Sequence, residues 1–401
     1  MTRIAGGGRS VAKHNSDGRS RNFVSRPLIA VALTLILIAG LVTAWRQLGD
    51  RIDEEPVAAN PCLEGPATVS VLADPAIAPG LQQIAENYNK TKPAVRDHCI
   101  TVEVRPADAR ATLEGLSAKT WDQKTYGAFP AAWVPQSSVW AASLQVAKSD
   151  ALQGNPESLV SSPVRLAMEP ELAKAIDGRL AWADLPAQTR AASLGDFGLR
   201  SWGSMRIAMP DGPQSDATAL MTQAVAAATV SAKAPLTDKQ VRSGGVQGAI
   251  DELLSAPPRV GDGSIDAAVR SIAETTDPSD APVRAVAVTE QQLYAITKND
   301  KKARVAAVTP KGPTPVADYP VVRLAGQAVP PHVSDAVAEF FTFARKPVQM
   351  EILTKSGFHG SGPLPESTAT VTFGEVSDQL PLPEPAASVA ISRRVYPAAA
   401  L

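Results

Sequence analysis

The chain has 401 residues, with 39 Lys and Arg against 40 Asp and Glu and a formal net charge of −1. That balance provides no basic field to attract nucleic acid, so a nucleic-acid partner is not expected. The roughly 355 residues beyond Trp45 suffice for two domains, each with its own core.

In chain order, residues 1–26 are rich in Gly, Ser and Arg and read as a disordered tail. Pro27 to Trp45 carries no charge. At about 20 residues, such a run is long enough to cross a bilayer as one helix. Arg3, Arg9, Lys13, Arg19, Arg21 and Arg26 precede it with only Asp17 against them; Asp50, Asp53, Glu54 and Glu55 follow it. The basic side stays in the cytoplasm, which puts the main body outside, held at the cell membrane by a single pass. The long basic region favours a retained anchor, with cleavage near Val42-Thr43-Ala44 as the alternative. Residues 46–61 form a polar linker.

A strand–helix rhythm then begins. Thr68–Ala73 is an apolar strand broken at Asp74-Pro75, and Leu81, Ile84, Ala85 and Tyr88 fall at helical spacing. Ile100–Val104 is a second strand, 111–116 a short helix, and Ala131–Pro135 a third strand, with Ser137 and Ser138 opening the next helix. Such alternation predicts a parallel sheet with right-handed crossovers. Cys62 and Cys99 lie just before the first two strands, so neighbouring parallel strands would bring them together. In an extracytoplasmic chain that predicts a disulfide contributing roughly 3–4 kcal/mol, with two buried free thiols as the alternative.

Further along, 161–168 is extended, Met205–Met209 is a strand, and Ser215 is placed to cap a helix from Asp216. Residues 231–264 are polar and only partly helical. Val283–Val288 is a strand followed by a helix opened by Thr289 and Glu290. Arg304–Val308 and Val321–Leu324 are strands, and 333–345 is an amphipathic helix with Val337, Phe340 and Phe341 on one face. From about Thr370 the chain is Pro-rich and reads as a loose tail to Leu401.

The chemistry of catalysis is missing from this pattern. His14, His98, His332 and His359 have no metal-ligand spacing. No nucleophile elbow or phosphate loop occurs. The reading is therefore not an enzyme, with no catalytic residue, metal or cofactor.

The order of several weak motifs resembles the extracellular solute-binding proteins of ABC importers. These are Thr68–Ala73 with Asp74-Pro75, Cys99–Val104, Trp133-Val134-Pro135 with Ser137-Ser138, Ser161–Met168 as a first hinge strand, Arg206–Pro210 with Ser215 and Thr218, Ala285–Glu290, Val305–Val308 and Asp318-Tyr319-Pro320. The nearest subgroup in pattern is the actinobacterial binding proteins that carry a von Willebrand factor A domain, here without that domain or its Asp-x-Ser-x-Ser metal site.

The resemblance implies an α/β, two-lobed fold of the periplasmic-binding-protein type II kind, with parallel-sheet lobes joined by hinge crossovers and preceded by the transmembrane helix. Residues 62–162 and 304–369 would form lobe 1, and 163–303 lobe 2. It also implies a cleft at the strand ends that closes on a small solute. The candidate ligand-binding residues are Asp74, Pro75, Ser137, Ser138 and Ser162 from the first lobe, Ser215, Asp216, Thr218 and Glu290 from the second, and Asp318 and Tyr319 on the return path. Asp74, Asp211 and Asp216 crowd the expected mouth, which favours a neutral or cationic solute unless Arg165 or Arg323 folds in. An ABC permease is the expected partner. The competing reading is a cell-envelope interaction protein that kept the fold and lost the solute.

Overall fold

The computed structural model describes Gly40 and Leu41, both helical, and residues 62–396. Apart from those two positions, the expected tail over 1–26, the membrane segment Pro27–Trp45 and the linker 46–61 lie outside the described residues. Among the described residues no helix is long and apolar enough to cross a membrane.

Among the described residues eleven strands form two sheets: β1 (Gly65–Ala73), β2 (Ala94–Val95), β3 (His98–Pro106), β4 (Ala132–Val134), β5 (Glu157–Ser158), β6 (Ser162–Met168), β7 (Ile207–Ala208), β8 (Ala285–Thr289), β9 (Ala306–Val308), β10 (Val316–Ala317) and β11 (Pro320–Arg323). The first sheet has the order β2-β3-β1-β4-β11-β5. Its centre is parallel, β1 pairing with β3 and β4, while β2, β5 and β11 run antiparallel to their neighbours. In β3, Ile100, Val102 and Val104 face the core and Thr101 and Glu103 face out, the period-two pattern of a half-buried strand.

The second sheet departs from the parallel expectation. Its order is β10-β6-β8-β7 with β9 also on β6, and only β7 and β8 are parallel. The chain runs out along β6 and returns along β8, β9 and β10, so these neighbours are antiparallel. The lobe boundary moves for the same reason. Within 304–317, assigned from the sequence to the first lobe, β9 and β10 pair with β6 of the second sheet, and the chain re-enters the first only at β11.

The helix Ala78–Lys90 buries the predicted Leu81, Ile84, Ala85 and Tyr88. It packs on helix Pro331–Ala344, where Tyr88 meets Phe340 edge to face at 5.6 Å. Up to residue 396 the C-terminal segment is not uniformly loose. Pro385–Val395 is a helix started by Pro385, and Ala387, Ile391 and Val395 form a buried stripe at four-residue spacing that ends in buried Tyr396. Proline content marks where a helix starts as readily as where order stops.

Cys62 and Cys99 are joined, with Cα atoms 5.2 Å apart. The bridge spans a sequence separation of 37 across the first crossover. The double variant Cys62→Ser/Cys99→Ser is expected to lose roughly 3 kcal/mol of unfolding free energy in denaturant titration. An unchanged midpoint would show that the link constrains nothing.

Candidate functional site

Two crossings join the sheets: Leu159–Ser161 between β5 and β6, and Asp318–Tyr319 between β10 and β11. They are tied to each other. Leu159 N donates to Tyr319 O at 3.2 Å and Ser158 Oγ to Asp318 O at 2.7 Å. Tyr319 sits at φ +38°, in the left-handed region, and its N donates to Gln136 O. A bulky residue adopts that backbone only where its surroundings impose it.

Between the lobes, the loop after β4 meets the start of helix Asp216–Thr229. Asp216 N donates to Gln136 Oε1 at 3.2 Å. The Asp216 carboxylate accepts from Ser137 Oγ at 2.5 Å and from Trp140 Nε1 at 2.8 and 2.9 Å. Asp318 accepts from Ser138 N at 2.7 Å and from the Ser138 hydroxyl. Asp74, at the end of β1, accepts from Ala76 N at 2.9 Å and from Gln214 Nε2 at 3.3 Å. Gln214 reaches across from a backbone at φ +56°. First lobe, second lobe and hinge thus each contribute one carboxylate to a buried group: Asp74 is 3% exposed, Asp216 2% and Asp318 7%.

Burial penalises charge on all three. It lifts Asp74 to about 6 against the Ala76 and Gln214 hydrogen bonds. It lifts Asp216 to about 7 against those from Ser137 and Trp140, with the negative fields of Asp74 and Asp318 adding to the rise. Asp318 rises for the same primary reason. Burial, then the charges of Asp74 and Asp216, push the Tyr319 hydroxyl well above its ordinary value. The Tyr319 hydroxyl and the Gln136 amide are buried side by side, with no further hydrogen-bond partner for the hydroxyl or for Gln136 Nε2 among the described residues. The ion pairs formed by the described residues leave these three carboxylates without a Lys or Arg. Among the described residues no group of three or more His, Cys, Asp or Glu has the geometry to hold a metal ion.

A cavity of about 320 Å³ opens beside this group. Pro75 and Ala76 of the first lobe face Pro213, Gln214, Gln291 and Gln292 of the second across it. Gln291 is 5% exposed, and its Oε1 is buried without a partner among the described residues. A second cavity, about 210 Å³, lies between Ser138 and Leu220, near Leu382.

Of the residues selected from the sequence, Asp74, Ser137, Ser138, Asp216, Asp318 and Tyr319 converge, and Pro75 lines the cavity. The others are placed elsewhere. Ser162 Oγ accepts from Gln291 N, steadying the helix Glu290–Thr297. Ser215 does not cap through its side chain; its hydroxyl donates to Gly212 O. Thr218 donates to Pro210 O inside the second lobe. Glu290 is held in an ion pair by Arg165, at 2.9 Å, and meets His359 Nε2 at 2.6 Å. Arg165 is therefore committed away from the carboxylates, and Arg323 lines a separate surface recess with Glu157 and Arg345. Gln136, Trp140 and Gln214 belong to the group and were missed, although each lies within three residues of a selected serine.

The family model of the bacterial extracellular solute-binding proteins matches residues 69–359. Two uncharacterised Mycobacterium tuberculosis proteins, from strains CDC 1551 and H37Rv, are each 36% identical over 366 residues, covering 90% of this chain and 52% of theirs. The chain spans about half the length of these curated relatives. Iron-bound HitA from Pseudomonas aeruginosa superposes with a TM-score of 0.55 at 14% identity, covering 84% of this chain and all of that one. AfuA from Actinobacillus pleuropneumoniae, with fructose-6-phosphate bound, gives 0.52 at 11% identity, covering 84% and 97%. The chain belongs to the bacterial extracellular solute-binding proteins, and its fold is that of the periplasmic binding proteins.

Proposed function

We propose that this solute-binding protein closes its two lobes on a small cationic or neutral polar solute. Pro27–Trp45 would hold it on the outer side of the cell membrane, and it would deliver the solute to the permease of an ABC importer. The resemblance to binding proteins with a von Willebrand factor A domain is proposed for the binding body alone. One observation carries the choice of solute. Asp74, Asp216 and Asp318 come from the first lobe, the second lobe and the hinge, and meet in one buried place. A ligand favours closure only through contacts it makes in the closed form, so groups on both walls are what a closing cleft needs. The structural neighbours named above carry iron in one case and a sugar phosphate in another, so the fold leaves the solute open. Here the charge of the buried group beside the cavity makes the choice. A cation among these carboxylates would offset the penalty that burial puts on their charge. Nothing in this reading is catalytic.

The test is a melting screen of the purified chain with amines, guanidines, amino acids, sugars, metal ions and oxyanions. A cationic or neutral polar solute at about 100 times its Kd is expected to add about 2.7 kcal/mol to stability. Stabilisation by oxyanions alone would overturn the assignment of charge, and no stabilisation by any class would overturn solute binding itself.

A second reading rests on the same group. Ser137, Ser138 and Trp140 already satisfy Asp216 and Asp318 from within the chain, as in a cleft retired from solute binding and used as an envelope interaction module. Capture from membranes separates the two, since a permease co-purifies in the first case and cell-wall assembly proteins in the second.

A further inference from the structure

The segment after residue 379 is attached to the two lobes in different ways. To the second lobe it is hydrogen-bonded at intervals. Leu380 N donates to Thr314 O at 2.8 Å and Glu384 N to Leu236 O at 2.9 Å. Ser388 Oγ accepts from Gln223 Nε2 at 3.2 Å. Arg394 donates to Gln247 Oε1 at 2.5 Å and pairs with Asp251. Against the first lobe, helix Pro385–Val395 lies along helix Ser138–Ala147, whose Val139, Ala141, Ala142 and Leu144 are buried. The junction ends in aromatic contacts. The Tyr396 ring stacks on Trp140 at 6.1 Å, the Arg110 guanidinium lies 5.5 Å from that ring, and the Tyr396 hydroxyl donates to Ser215 O at 2.9 Å.

Trp140 also holds Asp216. The last described residue therefore presses on the side chain that binds the second lobe's carboxylate. The lobes cannot part at this edge without peeling the helix from one of them. The hydrogen-bonded side is costlier to break than a packed apolar face that can reseal.

We propose that Leu380–Tyr396 is a clasp. It travels with the second lobe and grips helix Ser138–Ala147, so its release from the first lobe is the step that opens the cleft over the buried carboxylates. That opening governs solute exchange rests on the solute-binding reading; the clasp itself does not.

Hydrogen exchange on the full chain at neutral pH, with no solute added, tests it. Ile391→Asp places a charge in the buried stripe, and Tyr396→Phe removes the hydroxyl's bonds to Ser215 O and the Ala219 backbone, which tie the ring that presses on Trp140 to the second lobe. Exchange over 136–140 and 214–218, the two strips sealed between the lobes, is expected to rise at least about tenfold in Ile391→Asp and about threefold in Tyr396→Phe. Exchange over 69–72 and 100–104, inside the first sheet, is expected to stay at its original rate. Unchanged exchange of the sealed strips in Ile391→Asp overturns the clasp. So does equal acceleration of the sheet strands and the sealed strips in both variants, which would make the helix a general support of the body. A solute screen without hits leaves this result standing, and a failed clasp leaves the solute reading standing.

Discussion

Asp216→Asn is expected to melt several degrees higher than the original chain at pH 8, to lose most of the pH dependence of melting between pH 5 and 8, and to bind cationic solute at least about 100-fold more weakly. The sign follows from burial. The folded-state value of Asp216 is raised from 3.8 to about 7 and that of Asp74 to about 6. Between those limits the folded chain keeps protons that the unfolded chain has released, so stability falls as pH rises. The contribution is fully present below about pH 4 and is lost once pH passes the raised values. For Asp216 the displacement corresponds to about 4 kcal/mol as an upper order of magnitude, since the lobes relieve part of it by parting. Asparagine carries no charge to bury. Its Oδ1 can accept from Trp140 and its Nδ2 can donate to Ser137 Oγ, which turns its own proton away. Melting curves from pH 5 to 8 decide the matter. A variant that melts lower at pH 8 with an unchanged slope would mean that the ionised carboxylate holds the lobes together. The loss of binding has the opposite sign to the gain in stability because a desolvated carboxylate costs the resting fold what it offers a cation.

Much of this arrangement was legible in the residues. The strand–turn signals at Asp74-Pro75 and Ser137-Ser138 locate the first lobe's wall of the cleft, because strand ends in an α/β fold are where loops converge. Asp318-Tyr319 was legible only through the resemblance of Asp318-Tyr319-Pro320 to a return strand. Its importance comes from the hinge, where a long-range return brings residue 318 against residue 138, a pairing that local pattern does not encode. Thr218 and Glu290 show the opposite limit. Both sit at helix starts after strands, the right local address, yet the Thr218 hydroxyl turns to Pro210 O and Glu290 turns to Arg165. Side-chain direction depends on partners far off in sequence. The antiparallel second sheet was missed because short apolar strands look alike in either direction. The C-terminal helix was missed because its prolines outweighed the four-residue spacing of Ala387, Ile391 and Val395.

Arg165→Met is expected to cost about 3–5 kcal/mol, and Arg165→Met combined with Glu290→Met is expected to recover most of it. Glu290 stands first in the helix after β8 with its side chain only 2% exposed. Arg165 donates from Nε at 3.1 Å and from Nη2 at 2.9 Å to one carboxylate oxygen, and from Nη1 to Thr309 Oγ1 at 2.9 Å. His359 Nε2 meets the other oxygen at 2.6 Å. The His359 backbone exchanges two hydrogen bonds with Ser161 in the first crossing. The pair therefore joins the second lobe's helix to the hinge. Removing one member of a buried pair strands the other charge, whereas removing both leaves apolar groups of similar bulk, which is why the double variant should be milder. Denaturant titration of the four chains gives the coupling directly. A solute-binding role for Glu290 makes a different demand. Arg165→Met would then leave stability within about 1 kcal/mol while changing solute affinity. The measured cost of the single variant thus decides whether this carboxylate braces the hinge or faces the ligand.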